Sequence, residues 1–286
     1  MSRKNPAERQ LAQLLERGTD DHYLDPVLYD FEYIEQQDDV DWYRALADDH
    51  AQGRSILELG AGSGRICIPI ASAGHKVLAL DRMPAMLDHL EAKLALLRQA
   101  GEQIDGDIET LVADMTDIPL PDAQVGMVIA PFNCLMHLYT WRELLACFRE
   151  AYRVLEPGGL FAFDVLLPDL EWLRWDPDER HAITSFQHPR TGRKMIYSTN
   201  HEYDDQTQVC HIRIYYDNAV GGRLRPRTAP EHTVHLAHRQ IFPEEARMLL
   251  SWAGFELESH TGDFLDLALT REIEIQVVVA RKPATD

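Results

Sequence analysis

The segment SILELGAGSGRICIPI, residues 55–70, places three glycines at alternate positions between two apolar runs. Gly60, Gly62 and Gly64 follow SILEL, which has the length and composition of a buried strand, and precede a helical pattern predicted from Arg65 to Ala73. Three alternate glycines exceed the steric need of a strand-to-helix turn, so we interpret the bare backbone as a place where a ligand approaches the chain. In an open parallel sheet, ligands bind outside the carboxyl ends of the strands, where this turn would lie.

Short apolar runs and helical patterns alternate from this turn to about Leu167. The predicted strands are SILEL, KVLALD, DIETLVAD, QVGMVIA and GGLFAFDVLL, and the clearest helical patterns between them are PAMLDHLEAKLALLRQA and WRELLACFREAYRVL. Strand and helix at this spacing indicate parallel strands joined by right-handed crossovers. The predicted fold is therefore α/β, with a doubly wound Rossmann-like sheet.

Two regions of different composition flank this alternation. Residues 1–50 are acidic and aromatic and are predicted to form a helical N-terminal cap. Residues 168–240 contain RKMIYSTN, TQVCHIRIYY and HTVHLAHRQIF with no helical pattern between them, which predicts an inserted antiparallel sheet covering the pocket. A helix and two strands are expected in residues 241–286, which we assign with residues 51–167 to the Rossmann-like domain.

The charge of the chain disfavours polyanionic partners. Forty-seven acidic and 28 basic residues give a formal net charge of −19, which repels nucleic acid and anionic membranes. Basic residues of the insertion, Arg223, Arg225 and Arg227 among them, are interleaved with acidic ones, so no basic stripe is expected. The four cysteines form no CxxC pair, and no apolar run reaches the roughly 18–20 residues that span a bilayer. The expectation is a cytoplasmic protein without membrane contact; its oligomeric state is not predicted.

The glycine spacing distinguishes two kinds of ligand. Dinucleotide sites carry G-x-G-x-x-G, with the pyrophosphate at a helix N-terminus. Here the spacing is G-x-G-x-G, and the sixth position is Arg65. Glu58, just before the turn, is a poor neighbour for a pyrophosphate and a better one for a ligand with positive charge.

Residues 58–65, ELGAGSGR, resemble the first motif of class I S-adenosylmethionine-dependent methyltransferases, in particular small-molecule enzymes like glycine N-methyltransferase. The resemblance implies a seven-stranded sheet, S-adenosylmethionine as cofactor and S-adenosylhomocysteine as product. It also implies that Asp81 accepts from the ribose hydroxyls and that Asp114 accepts from the adenine amino group. Met83 and Met115 would lie near the adenine. The cofactor-binding residues implied in this way are Glu58, Gly60, Ala61, Gly62, Gly64, Arg65, Asp81, Arg82, Met83, Asp114, Met115 and Ala130.

The loop after the fourth strand supplies the candidate catalytic residues. Asn133, His137 and Leu138 have an N-x-x-x-H-L spacing that resembles the corresponding loop of glycine N-methyltransferase-like enzymes. Residues 130–133, APFN, depart from the N/D-P-P-Y/F sequence of DNA and protein-glutamine N-methyltransferases. Asn133 is predicted to orient the nucleophile and His137 to accept its proton. A histidine on a helix face, satisfied by backbone, is the alternative for His137.

Candidate acceptor contacts are Tyr29, Tyr33, Asn133 and Arg239. Core packing is the alternative for the two tyrosines, and solvation for the arginine. His232, His235 and His238 lie on a predicted strand, where the middle one faces away from the other two, so no metal site is predicted.

The expected function is an S-adenosylmethionine-dependent methyltransferase acting on a nitrogen or oxygen of a small molecule. Two alternatives stay open at this point. One is a catalytically silent protein that binds S-adenosylmethionine or a protein partner, and the other is a nicotinamide-dependent oxidoreductase. The sequence does not identify the acceptor.

Overall fold

The computed structural model describes residues 6–219 and 230–284, so Arg223, Arg225 and Arg227 lie outside the described residues. The chain divides into two units. The first, called the cap-and-sheet unit below, comprises Met1–Glu32 and Asp169–Gln240. The second, the Rossmann-like unit, comprises Tyr33–Pro168 and Ile241–Asp286.

Helices dominate residues 6–50. They are α1 (Pro6–Asp20), α2 (Pro26–Glu32) and α3 (Asp38–His50). The boundary between units falls after Glu32 and not at residue 50, where the sequence analysis ended the cap. The physical reason is the apolar face of α3, because Tyr43 and Ala47 are fully buried in the core of the Rossmann-like unit.

Parallel strands and helices then alternate. In chain order they are β1 (Ile56–Leu59), α4 (Cys67–Ser72), β2 (Lys76–Asp81), α5 (Pro84–Gln99), β3 (Asp107–Val112), β4 (Val125–Ala130), α6 (Trp141–Val154) and β5 (Leu155–Leu166). Every residue of β1 and β4 is buried, as in strands covered on both faces. The first of these helices begins two residues later and ends one residue earlier than the predicted Arg65–Ala73.

The insertion forms an antiparallel sheet of four strands in sequential order. They are β6 (His181–Gln187), β7 (Lys194–Asp204), β8 (Val209–Asn218) and β9 (His232–Arg239). The sequence analysis identified the last three and missed β6. Most residues of that edge strand are exposed, so it lacks the apolar alternation that marks a half-buried strand.

The chain ends with α7 (Pro243–Ala253), β10 (Glu256–Gly262) and β11 (Ile275–Arg281). The seven-stranded order is β10-β11-β5-β4-β1-β2-β3, with β11 antiparallel to β5. Buried residues of α6 and α7 pack on one face of this sheet, and those of α3, α4 and α5 pack on the other. The doubly wound α/β sheet predicted from the alternating pattern is confirmed.

The four cysteines are free thiols with buried side chains. Across residues 6–219 and 230–284, no helix has the length and apolar character needed to cross a membrane.

Gly18 is the point where α1 lies directly against β9. A Cβ at Gly18 would stand 2.4 Å from the Cβ of Ala237 and 2.9 Å from its backbone nitrogen. We expect Gly18→Ala to lower the melting temperature, although alanine is the better helix former by roughly 1 kcal/mol, because overpacking costs about 1–3 kcal/mol. Gln13→Ala, on the exposed side of α1, is the control for scanning calorimetry. A higher melting temperature for Gly18→Ala would show that the contact does not limit packing.

Candidate functional site

The glycine turn after β1 is held in backbone conformations that favour glycine. Gly60, Gly62 and Gly64 have φ values of 68°, 54° and 87°. A Cβ at Gly60 would stand 2.7 Å from the Cβ of Cys134, and one at Gly64 would stand 2.8 Å from Leu90 Cγ. The premise that three glycines exceed the steric need is therefore wrong for Gly60 and Gly64. Gly62 differs from the other two glycines of the turn. The nearest atom to a Cβ at Gly62 would be 3.4 Å away, an ordinary contact, so only the positive φ disfavours a side chain there.

Glu58 on β1 is a carboxylate buried directly before this turn. Its side chain is almost inaccessible, and in the part of the chain that the structure describes its Oε2 has no hydrogen-bond partner. Burial raises the pKa of Glu58 to about 8, against the opposing effects of the Arg65 charge and a hydrogen bond from the Cys67 thiol. An unpaired buried carboxylate is costly, and a cationic ligand group would compensate it. The ammonium group of S-adenosylmethionine fits this requirement.

Asp81, at the end of β2, fixes the position of the glycine turn. Its Oδ2 accepts from the Gly62 N–H at 2.8 Å, and its Oδ1 accepts from the Met83 N–H at 2.8 Å. Burial raises the pKa of Asp81, and the two backbone donors oppose that shift. Each carboxylate oxygen can accept a second hydrogen bond, as a vicinal diol on a ribose requires. The N–H of Ala61 ties the same turn to β2 by donating to the Leu80 carbonyl at 2.9 Å.

The residues expected near the adenine lie after β2 and β3. Met83 is half-buried at the start of α5, beside the exposed Arg82. Asp114 is exposed, and its Oδ1 accepts from the Thr116 N–H at 2.8 Å and from its hydroxyl at 2.7 Å, which fixes the carboxylate. The Cε of Met115 would lie 4.0 Å from a Cβ at Gly60, so this side chain approaches the glycine turn.

Arg65 connects the glycine turn to the first turn of α3 and to the residue Gln36 just before it. Its guanidinium donates to both carboxylate oxygens of Asp39, at 2.8 and 2.5 Å, and to the Gln36 carbonyl at 3.1 Å. It also lies over the Phe132 ring, 4.3 Å from the centroid. A bidentate pair with a cation–π contact immobilises the guanidinium. Arg65 is one of the predicted cofactor residues, but in this structure its guanidinium holds protein groups, namely Asp39, the Gln36 carbonyl and the Phe132 ring, in position.

The loop after β4 is held in a strained conformation. Ala130 ends the strand in the buried core, and Phe132 and Asn133 then have left-handed φ values of 53° and 64°. The buried Asp164 on β5 holds this bend, because its Oδ1 accepts from the Phe132 N–H at 2.9 Å. The same oxygen accepts from the Tyr43 hydroxyl at 2.7 Å.

Asn133 and His137 occupy different positions in that loop. Asn133 is fixed to β5, because its Oδ1 accepts from the Leu166 N–H at 2.7 Å, so its amide NH2 is the group it could offer a ligand. His137 is half-buried at the end of a 3₁₀ turn, Cys134–His137. Tyr33 contacts the same loop, since its ring packs edge-on against Phe132 with centroids 4.9 Å apart.

The remaining two predicted acceptor contacts belong to the cap-and-sheet unit. Tyr29 lies on α2, with its ring 5.6 Å from that of His22 and 5.5 Å from that of Tyr23. Arg239 is buried at the end of β9 and donates to Gln208 Oε1 at 2.8 Å. The solvated alternative for this arginine is therefore wrong.

The sequence analysis missed Tyr43, Asp39 and Asp164, which organise the loop and the turn. Asp164 carried a detectable signal, since it is the only charged residue in the apolar run LFAFDVLL. A lone carboxylate in a buried strand requires hydrogen-bond donors. Its partner Tyr43 is 121 positions away and had no such signal.

The three histidines of β9 alternate in direction. His238 is half-buried, and desolvation together with the nearby His22 lowers its pKa to about 4. Within the described part of the chain, no three side chains of His, Cys, Asp or Glu are grouped to hold a metal ion.

Comparisons with known proteins agree with this geometry. Residues 56–159 match the family model described as a methyltransferase domain. YqeM of Bacillus subtilis, which carries the provisional name of a methyltransferase, is 26% identical over 80% of this chain and 85% of its own length. The CcbJ methyltransferase of Streptomyces caelestis is 24% identical with a TM-score of 0.68, covering 86% of this chain and 90% of that one. The sugar N-methyltransferase KedS8 of Streptoalloteichus sp. ATCC 53650 is 19% identical with a TM-score of 0.61, covering 90% and 93%. At these identities the two solved structures show the shared fold alone.

Replacing Glu58 separates ligand binding from stability. We expect Glu58→Gln to weaken S-adenosylmethionine binding about tenfold or more, since a charge-assisted hydrogen bond contributes about 1.5–3 kcal/mol. The folded pKa is raised from 4.5 to about 8, so the wild-type stability contribution is lost as pH rises through that interval. The ligand-free variant should therefore melt higher than wild type near pH 8. Calorimetric titration and thermal unfolding measure both effects, with the exposed Glu109→Gln as control. Wild-type affinity in a folded Glu58→Gln protein would contradict this placement of the ligand.

The Asp164 network gives a second expectation. Asp164→Ala leaves the buried Tyr43 hydroxyl and the Phe132 N–H without their acceptor, and each such loss costs about 1–3 kcal/mol. We expect a clear drop in the free energy of unfolding, measured by urea titration, and recovery of most of it in Asp164→Asn, which keeps an acceptor oxygen. Equal destabilisation by both substitutions would mean that the charge and not the acceptor holds the loop.

Proposed function

Since the chain is a class I S-adenosylmethionine-dependent methyltransferase, we propose that it methylates a nitrogen or oxygen atom of a small-molecule acceptor. When bound, S-adenosylmethionine supplies a methyl group activated by a positively charged sulfur. The observation that carries the proposal is the contact between the glycine turn and the loop after β4, where a Cβ at Gly60 would stand 2.7 Å from Cys134 Cβ. This contact brings the loop of Asn133 and His137 against the turn that holds the cofactor.

In this proposal the strand-end residues bind the cofactor, and the loop after β4 binds and deprotonates the acceptor. Glu58 compensates the ammonium group of the cofactor, Asp81 accepts from its ribose, and Asp114 with Met115 holds its adenine. Asn133 orients the attacking group through its amide NH2, because its carbonyl oxygen is already bonded to Leu166. His137 removes the proton from a hydroxyl or ammonium acceptor, and positioning of the two reactants contributes much of the acceleration.

Three lines of support favour a small acceptor. The structural neighbour KedS8 is named a sugar N-methyltransferase. A net charge of −19 disfavours binding of nucleic acid, and the absence of a nucleic-acid acceptor stays a prediction. Tyr33, in contact with Phe132, supplies an aromatic surface beside the catalytic loop. Tyr29 and Arg239 stay predictions for acceptor contacts, as does the narrower resemblance to glycine N-methyltransferase. The family assignment favours the methyltransferase over the silent binding protein and the oxidoreductase.

A metabolite screen tests the acceptor class. The protein is incubated with methyl-labelled S-adenosylmethionine and a cell extract, which is then divided by a low-cutoff filter. Label in the filtrate, identified by mass spectrometry, supports the proposal. Label confined to the retained protein or nucleic acid would contradict it.

His137→Ala separates proton transfer from cofactor binding. We expect kcat to fall by about 10²–10⁴, the usual effect of losing a general base, with little change in the affinity for S-adenosylmethionine. His50→Ala removes an imidazole at the end of α3 and is the control. A kcat within about threefold of the wild-type value would contradict proton transfer by His137 and favour the alternative of a structural histidine.

A further inference from the structure

A separate cavity of about 510 Å³ lies within the cap-and-sheet unit. It is bounded by the end of α1, by α2, by the β6–β7 hairpin and by β8 and β9. Its walls include Tyr29, Glu32, Met195, Tyr216 and His232. Its volume is in the range of sites that take small organic molecules.

Glu32 is the central polar group of this cavity. Its Oε1 accepts a short hydrogen bond from the Tyr216 hydroxyl, and its Oε2 lies 3.8 Å from Nε2 of His22. His22 is a weak partner for a negative charge, because burial lowers its pKa to about 4 and leaves it neutral. Within residues 6–219 and 230–284, no other ion-pair contact to Glu32 occurs.

The surroundings of Glu32 further disfavour an uncompensated negative charge. Glu32 is the last residue of α2, where the helix carboxyl end already carries partial negative charge. Burial and the Asp25 charge raise the pKa of Glu32 to about 7, against the effect of the Tyr216 hydrogen bond. A cationic group in the cavity would remove this penalty.

The rings and charges of the wall suit a cation. The Tyr216 ring stacks near that of His232, at 22° and 6.1 Å, and tyrosine faces attract ammonium groups. Among the residues that line the cavity, carboxylates outnumber guanidinium groups. One of those guanidinium groups, that of Arg17, donates a hydrogen bond to Asp21 at 3.2 Å. The titratable and charged groups that line the cavity with Glu32 are Arg17, Asp21, His22, Asp25, Tyr29, His188, Arg193, Tyr216, Glu231 and His232.

We propose that this cavity binds a small organic molecule through an ammonium group, with Glu32 as its counter-ion and the rings of Tyr29 and Tyr216 as its aromatic wall. The inference goes beyond the proposed function, because it rests on contacts within the cap-and-sheet unit and assigns Tyr29 to this cavity in place of its predicted contact with the methyl acceptor. Binding of a cation favours the ionised carboxyl and therefore releases a proton near neutral pH.

Three probes of one shape test the proposal by calorimetric titration. They are benzylamine, the neutral benzyl alcohol, and benzyltrimethylammonium, whose charge does not change with pH. At about pH 8 we expect the wild-type protein to bind benzylamine at least tenfold more tightly than benzyl alcohol. Because the pKa of Glu32 is about 7, affinity for benzyltrimethylammonium should fall roughly thirtyfold between about pH 8 and pH 5.5, as the ionised fraction of the carboxyl does. Titrations in buffers of different ionisation enthalpy should report the released proton.

Glu32→Gln keeps the shape and an acceptor for Tyr216 but removes the charge, so the amine preference and its pH dependence should both disappear. Glu202→Gln, an exposed change on β7, should keep both.

Tyr216→Phe is the second variant. It removes the hydroxyl that favours ionised Glu32, so the pH midpoint of benzyltrimethylammonium binding should move to higher pH. Affinity should return to the wild-type level above that new midpoint. This variant carries the test if Glu32→Gln does not fold. Equal binding of amine and alcohol, a preference retained in folded Glu32→Gln, or an unmoved midpoint in Tyr216→Phe would overturn the proposal.

Discussion

The close approach of the glycine turn to the loop after β4 constrains the whole candidate site. A Cβ at Gly60 would overlap Cys134, so the two segments can meet only where the turn has no side chain. Asp81 holds the turn from β2 through two backbone donors. Asp164 holds the opposing loop from β5 through the Phe132 N–H. The sheet thus fixes both sides of the site from β2 and β5, the strands on either side of the β4–β1 pair.

Buried carboxylates are concentrated around this contact. Burial raises the pKa values of Glu58, Asp81 and Asp164, and hydrogen bonds to each carboxylate oppose that shift. Such groups cost folding stability unless a partner compensates them. Glu58 differs from the other two, because one of its oxygens has no hydrogen-bond partner among residues 6–219 and 230–284. This is why the proposed function places the positive end of the cofactor there.

The cap-and-sheet unit repeats this arrangement with different elements. Glu32 ends a helix inside a cavity, and its partners are a hydroxyl and a neutral imidazole. Each unit therefore contains a carboxyl group that is removed from most of its water and that, among residues 6–219 and 230–284, has no ion-pair contact with a lysine or an arginine.

Local pattern alone was enough to predict the class of fold, the glycine turn and the strand-end positions of Glu58, Asp81 and Asp114. Strand and helix periodicities and glycine spacing are encoded within a few neighbouring residues. The boundary at Glu32, the edge strand β6, the partner of Arg65 and the link from Tyr43 to Asp164 were not predictable in this way. They depend on which distant residues meet and on how deeply each becomes buried, as for Tyr43 and Asp164, 121 positions apart. The tertiary structure alone decided which carboxylates lose their water, and this desolvation is what raises their pKa values.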